Sequence, residues 1–203
     1  MLRFFDSIHI DIPYQDIYKR LGYREGVTKI EKEDNEFKNY ILDGLQFINL
    51  KAVALRIPIK KINIDKVYFK GGLIIKSKLL VSLLSGCVEM LCVATTSGKK
   101  IIEEIGKLEK KDFARAVVYD ALASEMVDFC FDWVIGVFLQ ELKRENKELT
   151  KKRISCGYSD FSIEYQKKFY KILNLKKLGI SITKDYMLVP EKSAIAVLGI
   201  KER

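Results

Sequence analysis

The apolar positions of the chain are concentrated in its middle, where a buried strand and two helices are predicted. The run CVEMLCVAT at 87–95 is almost continuously apolar and of strand length, which is typical of a central strand covered on both faces. Thr96, Ser97 and Gly98 lead from it into a helix predicted over 99–110. A second helix is predicted from about 112 to 148, and its apolar interior places it through the middle of the domain.

Further strands and helices follow one another irregularly along the rest of the chain. Strands are predicted at 3–12, 51–59, 66–69, 73–75, 181–183 and 187–200. Helices are predicted at 13–22, 34–50, 77–85 and 159–173. The first of these helices opens at Pro13, because the fixed φ of proline suits a first helical position. Since no regular strand–helix–strand rhythm is present and no linker or repeat divides the chain, the pattern favours one α+β domain over 1–203.

Composition and charge change this picture in two ways. The formal net charge of +9 suits nucleic acid, an anionic membrane or an acidic protein. The lysines, however, come in pairs scattered over the whole chain, so we interpret the excess as surface solvation and expect no nucleic-acid partner. The four cysteines form no CxxC pair and His9 is the single histidine, which argues against a zinc site and fits buried, reduced thiols. The shortage of histidine also argues against a Ser-His-Asp or Cys-His hydrolase.

No membrane segment or signal peptide is predicted. The N-terminus carries acids and lacks the basic start and continuous apolar run of a signal peptide. The most apolar stretch, 73–96, is interrupted by Lys76, Lys78, Gly86 and Glu89, so it does not fit a membrane span. We therefore expect a cytoplasmic protein.

Two segments of the middle region are candidates for ligand contact, although neither is specific. The turn at 94–98 precedes a helix N-terminus, whose free N–H groups suit an anion, but ordinary capping by serine or threonine is the favoured explanation. The segment 119–125 places Asp120 and Glu125 on an otherwise apolar helix. A buried carboxylate needs a partner. Ligand contact and a solvated stripe explain Glu125 equally well. Neither GxGxxG nor GxxxxGK[ST] is present.

The stretch RISCGY at 153–158 carries the most information about function. Its arginine offers a fixed cation, its glycine exposed backbone groups and its tyrosine an aromatic face. These three groups suit an amino-acid carboxylate, a closely approaching ligand and a sulfonium or adenine ring. Taken alone, a helix-end arginine, a turn glycine and a core tyrosine would explain the stretch better.

The C-terminal third resembles a known family. RISCGY is followed by a predicted helix and by LGISITKDYMLVPEKSAIA at 178–196, a pattern similar to RxxxGY, a spacer helix, then GI-x-LT-x-x-x-M-x-P-x-x-S. This signature belongs to the activation domain of cobalamin-dependent methionine synthase. It spans Arg153 to Gly199, and ALASE at 121–125 is similar to the family's small-residue helix with a ligand-facing acid. Residues 87–200 fit best and 1–80 only in general character.

The resemblance implies a fold, a cofactor and a partner. The fold is a C-shaped single domain around a twisted, mainly antiparallel sheet with flanking helices. The cofactor is S-adenosylmethionine, and the partner is a cobalamin-binding methionine synthase that lacks its own activation domain. The implied function, in methionine biosynthesis, is that of a reactivation subunit supporting methyltransferase action in trans by reductive methylation of cob(II)alamin. Flavodoxin or another electron donor is a further implied partner.

The resemblance also assigns ligand-binding roles to individual residues. The assigned residues are Arg153, Ser155, Gly157, Tyr158, Glu125 and Ser124. The arginine would bind the methionine carboxylate, the loop serine and glycine would supply main-chain contacts, and the tyrosine would lie near the ligand. Glu125, or its neighbour Ser124, would bind the ligand amine.

The departures from the family pattern favour a second interpretation. Ile154 and Cys156 stand where family loops carry prolines, and the family's N-terminal aspartate contact has no evident counterpart. Family members also continue into further ligand-contacting sequence where this chain reaches Arg203. The alternative is therefore a degenerate docking or sensing module of corrinoid metabolism that does not bind S-adenosylmethionine. Charge alone favours a third alternative, a basic nucleic-acid-binding protein.

Overall fold

The computed structural model describes residues 2–23 and 33–203 of the chain. The described helices are α1 (Tyr14–Arg20), α2 (Glu33–Leu45), α3 (Lys78–Leu84), α4 (Lys99–Leu108), α5 (Phe113–Arg144) and α6 (Tyr165–Ile172). The described strands are β1 (Leu2–Phe5), β2 (Lys51–Ile62), β3 (Lys66–Phe69), β4 (Ile74–Lys76), β5 (Glu89–Thr96), β6 (Lys147–Leu149), β7 (Ser181–Ile182), β8 (Leu188–Val189) and β9 (Ser193–Glu202). A one-turn 3-10 helix, Leu175–Leu178, follows α6.

The strands form one strongly curled sheet and one short hairpin. The main sheet has the order β4-β3-β2-β5-β9-β6, and β1 pairs with the first half of β2. The strands β7 and β8 pair only with each other. All the described ladders are antiparallel. The predicted α+β class, with a mainly antiparallel sheet and flanking helices, is confirmed.

The central strand β5 is buried on both of its faces. Every residue from Met90 to Thr96 is buried, which confirms the strand predicted from the run at 87–95. Leu91 and Val93 pack in the cluster that contains α5, whereas Met90 and Cys92 pack with α3 and α6. Because both faces are covered, the strand is apolar at successive positions and does not alternate. Burial of each large side chain contributes about 1.5–3 kcal/mol.

The long helix α5 covers one face of the sheet. The Asp112 carboxylate accepts the Arg115 N–H at 3.1 Å and caps its first turn. Its buried side chains include Val118, Leu122 and Val134, which pack against the α5 side of β2, β5 and β9. With 32 residues the helix spans roughly 48 Å. The prediction that this helix runs through the middle of the domain is confirmed.

Two predicted elements are shorter than expected, because contacts with other parts of the fold determine the conformation of the residues at their ends. The strand predicted at 3–12 stops at Phe5, since its partner β2 begins at Lys51 and Ser7 adopts a positive φ of 55°. The helix predicted over 34–50 stops at Leu45. Beyond it, the Asn49 N–H donates to the Ser97 carbonyl at 2.8 Å, which holds the chain out of helical geometry.

The helices predicted at 112–148 and 159–173 also needed correction. The first ends at Arg144, where Asn146 takes a positive φ of 55° and the next three residues pair with β9 as β6. The second begins only at Tyr165. Ser159 has a positive φ of 51°, and Asp160 is turned toward the start of α3.

An ion cluster fastens the end of α5 to the sheet. Arg56 of β2 contacts Glu89 of β5 and Glu145 at the C-cap of α5, each at 2.6 Å. Lys147 of β6 contacts Glu89 at 2.7 Å and Glu145 at 3.2 Å. The hydrogen bonds from Arg56 lower the pKa of Glu145 to about 2. Burial opposes ionisation of Glu89, but hydrogen bonds from Arg56 and Lys147 outweigh it and lower the pKa of that carboxyl.

Replacing Glu145 with glutamine should change the acid sensitivity of the fold. Folding lowers the pKa of Glu145 from its ordinary value of 4.5 to about 2. Its contribution to the free energy of unfolding is therefore fully present above pH 4.5 and is lost as the pH falls from 4.5 to 2. We expect the urea-derived free energy of unfolding of the unmodified protein to fall more over this window than that of E145Q. The carboxylate is partly exposed, so screening by water keeps the difference to about 1 kcal/mol or less.

The matched control for this experiment is Glu148→Gln. Glu148 is also a carboxylate after α5, but its contact with Arg203 is 3.8 Å long. Its substitution should leave the pH dependence unchanged. Identical pH profiles for E145Q and the unmodified protein would show that the cluster does not stabilise the fold through this carboxylate.

Candidate functional site

A row of three acids along α5 meets two arginines from other elements. Glu125, Asp128 and Asp132 are three and four positions apart, so they lie on one side of the helix. Arg20, the last residue of α1, contacts Glu125 at 2.5 Å and Asp128 at 3.8 Å. Arg153 contacts Asp128 at 3.1 Å and Asp132 at 2.5 Å. The five side chains form a line of alternating charge, which we call the charged row.

The members of the charged row differ in exposure, and this difference decides which of them can meet a ligand. Glu125 is buried, with 9% of its surface exposed, and Arg20 supplies the partner that a buried carboxylate requires. The side chain of Asp132 is 63% exposed, while that of Arg153 is 31% exposed. The Asp132 end of the row is therefore open to solvent, and the Glu125 end is closed.

Arg153 lies at the border of an apolar groove. Its guanidinium carbon is 5.1 Å from the centre of the Phe131 ring, a cation–π contact that fixes the plane of the group. The groove has a volume of about 470 Å³, and its apolar lining includes Ile135, Leu139 and Leu149. The guanidinium therefore has one side against α5 and another at an open groove.

A second groove lies on the other side of Asp132. It has a volume of about 540 Å³ and is formed by residues 9–13 and by Phe129 and Trp133 of α5. The Trp133 ring meets the Phe5 ring edge-on at 5.5 Å between centroids, which holds it in place. Asp132 borders both grooves, so one exposed carboxylate separates an aromatic groove from the groove at Arg153.

The loop that carries Arg153 is anchored at both ends. On one side, Ile154 and Val197 of β9 exchange backbone hydrogen bonds of 3.1 and 2.8 Å. On the other side, the Asp160 carboxylate accepts hydrogen bonds from the Ser77 hydroxyl at 2.8 Å and the Lys78 N–H at 2.6 Å, at the start of α3. These hydrogen bonds from α3 hold the pKa of the Asp160 carboxyl below its usual range.

The glycine of the loop is required by its backbone conformation. Gly157 has a φ of +96°, and its N–H donates to the Phe161 carbonyl at 2.7 Å. A Cβ at this position would come within 3.3 Å of the Ile163 side chain. The tight turn therefore depends on glycine, while Tyr158 beside it is 65% exposed.

The sequence-predicted site residues fall into two groups. Arg153 and Glu125 belong to the same charged row, linked through Asp128 and Arg20. Of the six, Arg153 alone borders one of the two grooves described above, and Glu125 lines neither. The remaining four lie outside both the row and the grooves: Ser124, Ser155, Gly157 and Tyr158. The Ser124 hydroxyl donates to the Asp120 carbonyl of its own helix at 2.9 Å.

Sequence reasoning missed the direct partners of Arg153. Asp128 and Asp132 contact its guanidinium, and Phe129 and Trp133 form the floor of the adjoining groove. A signal for the acids was available, because Glu125, Asp128 and Asp132 recur at helical spacing on a helix that is otherwise apolar.

The turn at 94–98 is not capped as the sequence suggested. Gly98, with a φ of +85°, is the N-cap of α4 and no side chain caps this helix. The Thr96 hydroxyl instead accepts from the Gly98 N–H at 3.1 Å and from the Ser193 hydroxyl at 2.8 Å. The Ser97 hydroxyl donates to the Lys192 carbonyl at 3.3 Å. These hydroxyls tie β5 to the start of β9.

The four cysteines are buried free thiols, as the sequence indicated. Burial raises the pKa of Cys130 and of Cys156 to about 12. Burial also raises the pKa of Cys87 and, more strongly, that of Cys92. Because the thiolate is the reactive form of cysteine, none of the four is suited to nucleophilic chemistry at neutral pH.

Among the described residues, no helix is long and apolar enough to cross a membrane.

Removing the Asp160 carboxylate should loosen the connection between the loop and α3. In Asp160→Ala we expect the Lys78 and Leu79 amides to exchange with solvent on the order of tenfold faster, because both donate to this carboxylate. Hydrogen–deuterium exchange measures this directly. Asp185→Ala, which removes an exposed acid from the turn between β7 and β8, is the control. Unchanged exchange at Lys78 and Leu79 would contradict this anchoring role.

Comparison with known proteins places this geometry in a structural context. No family profile and no curated protein sequence matches the chain. Among solved structures, the chain is similar to the crystal structure of the MetH reactivation domain bound to AdoHcy, with a TM-score of 0.69 and 12% sequence identity. The alignment covers 98% of this chain and 78% of that one. The chain therefore has the fold of the MetH reactivation domain.

Proposed function

We propose that this protein binds S-adenosylmethionine at the open end of the charged row and acts as a cytoplasmic reactivation subunit for a separate cobalamin-dependent methionine synthase. The observation that carries the proposal is the position of Arg153. It stands on an RxxxGY loop, against acids of α5 and at the border of a groove, in a fold similar to a domain whose crystal structure contains AdoHcy.

The charges of the open end suit the amino-acid part of the ligand. A carboxylate pairs with a guanidinium in a bidentate way, and Arg153 has five N–H donors for this purpose. The ammonium and sulfonium groups are cations, which Asp128 would attract. Because the Asp132 side chain is 63% exposed, it can turn into water and free one edge of the guanidinium.

The aromatic groove suits the adenosine part of the ligand. Phe129 and Trp133 supply apolar ring faces beside Asp132, and Ile10 and Ile12 add aliphatic surface. An adenine ring stacks on such surfaces, and a ribose hydroxyl finds an acceptor in Asp11. In this arrangement the ligand crosses Asp132 from one groove to the other.

The residues of this chain would bind and orient, and would not transfer protons. S-adenosylmethionine would supply a methyl group to a cobalamin carried by the partner methionine synthase and would leave as S-adenosylhomocysteine, with flavodoxin or another donor supplying the electron that reduces the cob(II)alamin beforehand. The protein residues then hold the sulfonium in position by the charged row, a contribution of proximity and orientation. This role needs no general base, in keeping with a chain that has one histidine.

One observation favours the alternative of a degenerate docking or sensing module. Arg153 already contacts two carboxylates, so its charge is satisfied without a ligand. If these contacts persist in solution, the row is a structural element that joins the loop to α5. The two functions differ in one property, the binding of S-adenosylmethionine.

Isothermal calorimetry with S-adenosylmethionine distinguishes them. We expect heat of binding with the unmodified protein and an affinity reduced roughly 10- to 100-fold in Arg153→Ala, because a charge-assisted pair to the carboxylate is lost. The control is Lys151→Ala, which removes a cation from the border of the same groove. Absence of binding by the unmodified protein would establish the degenerate module.

The reactivation role is tested with an inactivated cobalamin-dependent methionine synthase that lacks its own activation domain. Addition of this protein, S-adenosylmethionine and a reductant should restore the methylcobalamin absorbance, and Arg153→Ala should not restore it. Binding of S-adenosylmethionine without recovery of methylcobalamin would contradict the reactivation role and leave only the binding assignment.

A further inference from the structure

The fold brings two lysine-rich segments of the chain next to each other. The segments 60–76 and 164–171 together carry eight lysines and two acids, Asp65 and Glu164. The lysines are Lys60, Lys61, Lys66, Lys70, Lys76, Lys167, Lys168 and Lys171. We call this surface the basic face. The two segments hold a net excess of six positive charges, against +9 for the whole chain.

The strand register places part of the basic face on a single side of the sheet. Lys61 of β2 is opposite Tyr68 of β3, and Tyr68 is opposite Ile74 of β4. Lys66 is directly opposite Lys76. Like charges at directly opposite positions destabilise a sheet, so this pair is not explained by stability.

Helix α6 lies along the open edge of β4 and brings Lys168 to that edge. The Lys76 N–H donates to the Tyr165 hydroxyl at 2.8 Å, and the Lys168 ammonium donates to the Ile74 carbonyl at 3.3 Å. Lysine on an edge strand ordinarily protects it from pairing with another chain. Here α6 already covers the edge of β4, so protection does not account for the lysines.

Most of these lysines have no acidic partner. Within residues 2–23 and 33–203, Lys76 is the one member of the basic face in an ion pair, with Asp65 at 3.6 Å. By contrast, the arginines of the described chain on β2, α1 and the 153–158 loop are each paired with two carboxylates. The basic face therefore presents a concentrated, unneutralised positive potential.

A groove in the basic face combines cations, an aromatic ring and open backbone. It has a volume of about 440 Å³ and is lined by Lys60, Tyr68 and Lys70 and by the turn Gly71–Gly72. Both glycines have positive φ, +85° and +84°, and no atom lies within 4 Å of where a Cβ would stand. A ligand can therefore approach the backbone of this turn closely.

We infer that the basic face binds a single-stranded nucleic acid. Phosphates would lie along the lysines, and a base would stack on Tyr68 between Lys60 and Lys70. Lysine is depleted from the cores of protein–protein interfaces but is an ordinary partner of phosphate, which favours nucleic acid over an acidic protein. This inference does not rest on the proposed function, because it uses none of the residues of the charged row or its grooves.

Fluorescence anisotropy with a fluorescein-labelled 12-nucleotide oligouridine tests the inference. We expect binding at 50 mM salt that weakens steeply at 200 mM. The double substitution Lys60→Gln with Lys70→Gln should lower the slope of log affinity against log salt by about 1.4, which is about 0.7 for each lost phosphate contact. Tyr68→Leu should weaken binding roughly tenfold through loss of stacking. Thermal melting confirms that each variant is folded.

The control is Lys110→Gln with Lys111→Gln, two exposed lysines between α4 and α5. It should leave the affinity and the salt slope unchanged. Three results would overturn the inference: no binding at 50 mM salt, equal loss in the control variant, or an unaltered affinity in Tyr68→Leu. Equal binding of polyglutamate or of anionic phospholipid vesicles would instead indicate an acidic protein or a membrane surface as the partner.

Discussion

The burial of the central sheet on both faces is the constraint on which the rest of the molecule depends. Because β5 is covered on one side by α5 and on the other by α3 and α6, α5 must lie across the sheet with one face apolar. The acids lie on the part of α5 that neither the sheet nor α4 covers, and the end of α1 and the 153–158 loop lie beside that part. The charged row is thus a consequence of how the core is packed: Arg20 and Arg153 meet α5 where its acids are exposed to them.

The charged row gives the molecule one closed end and one open end. At the closed end, buried Glu125 depends on Arg20 for its partner. At the open end, Asp132 separates two grooves and shares Arg153 with Asp128. The loop that supplies Arg153 is held by β9 and by α3, so the position of the guanidinium is fixed by backbone hydrogen bonds and a helix cap. Such an anchored cation beside a partly exposed acid fits recognition of a zwitterion better than catalysis by proton transfer.

The sequence predicted those parts of the fold that depend on local patterns. The run at 87–95 and the helix beginning near Asp112 were predicted because continuous burial leaves a continuous apolar signal. The strand β6 was missed because its three residues do not alternate and owe their conformation to pairing with β9. Arg153 was identified from its motif, but its partners Asp128 and Asp132 come from another element. The basic face was not predicted because its two segments are about a hundred positions apart and become neighbours only when α6 covers the edge of β4.

In the proposed function, the guanidinium of Arg153 exchanges a carboxylate of α5 for the carboxylate of the ligand's amino-acid part. A crystal structure of the protein with S-adenosylhomocysteine, which has the same amino-acid part, shows whether this exchange occurs. In this crystal we expect the ligand carboxylate to be bonded to Arg153, the Asp132 side chain to have turned away, and the adenine to lie against Phe129 and Trp133. A structure in which Arg153 keeps both of its aspartate contacts while the ligand is absent or bound elsewhere would contradict it.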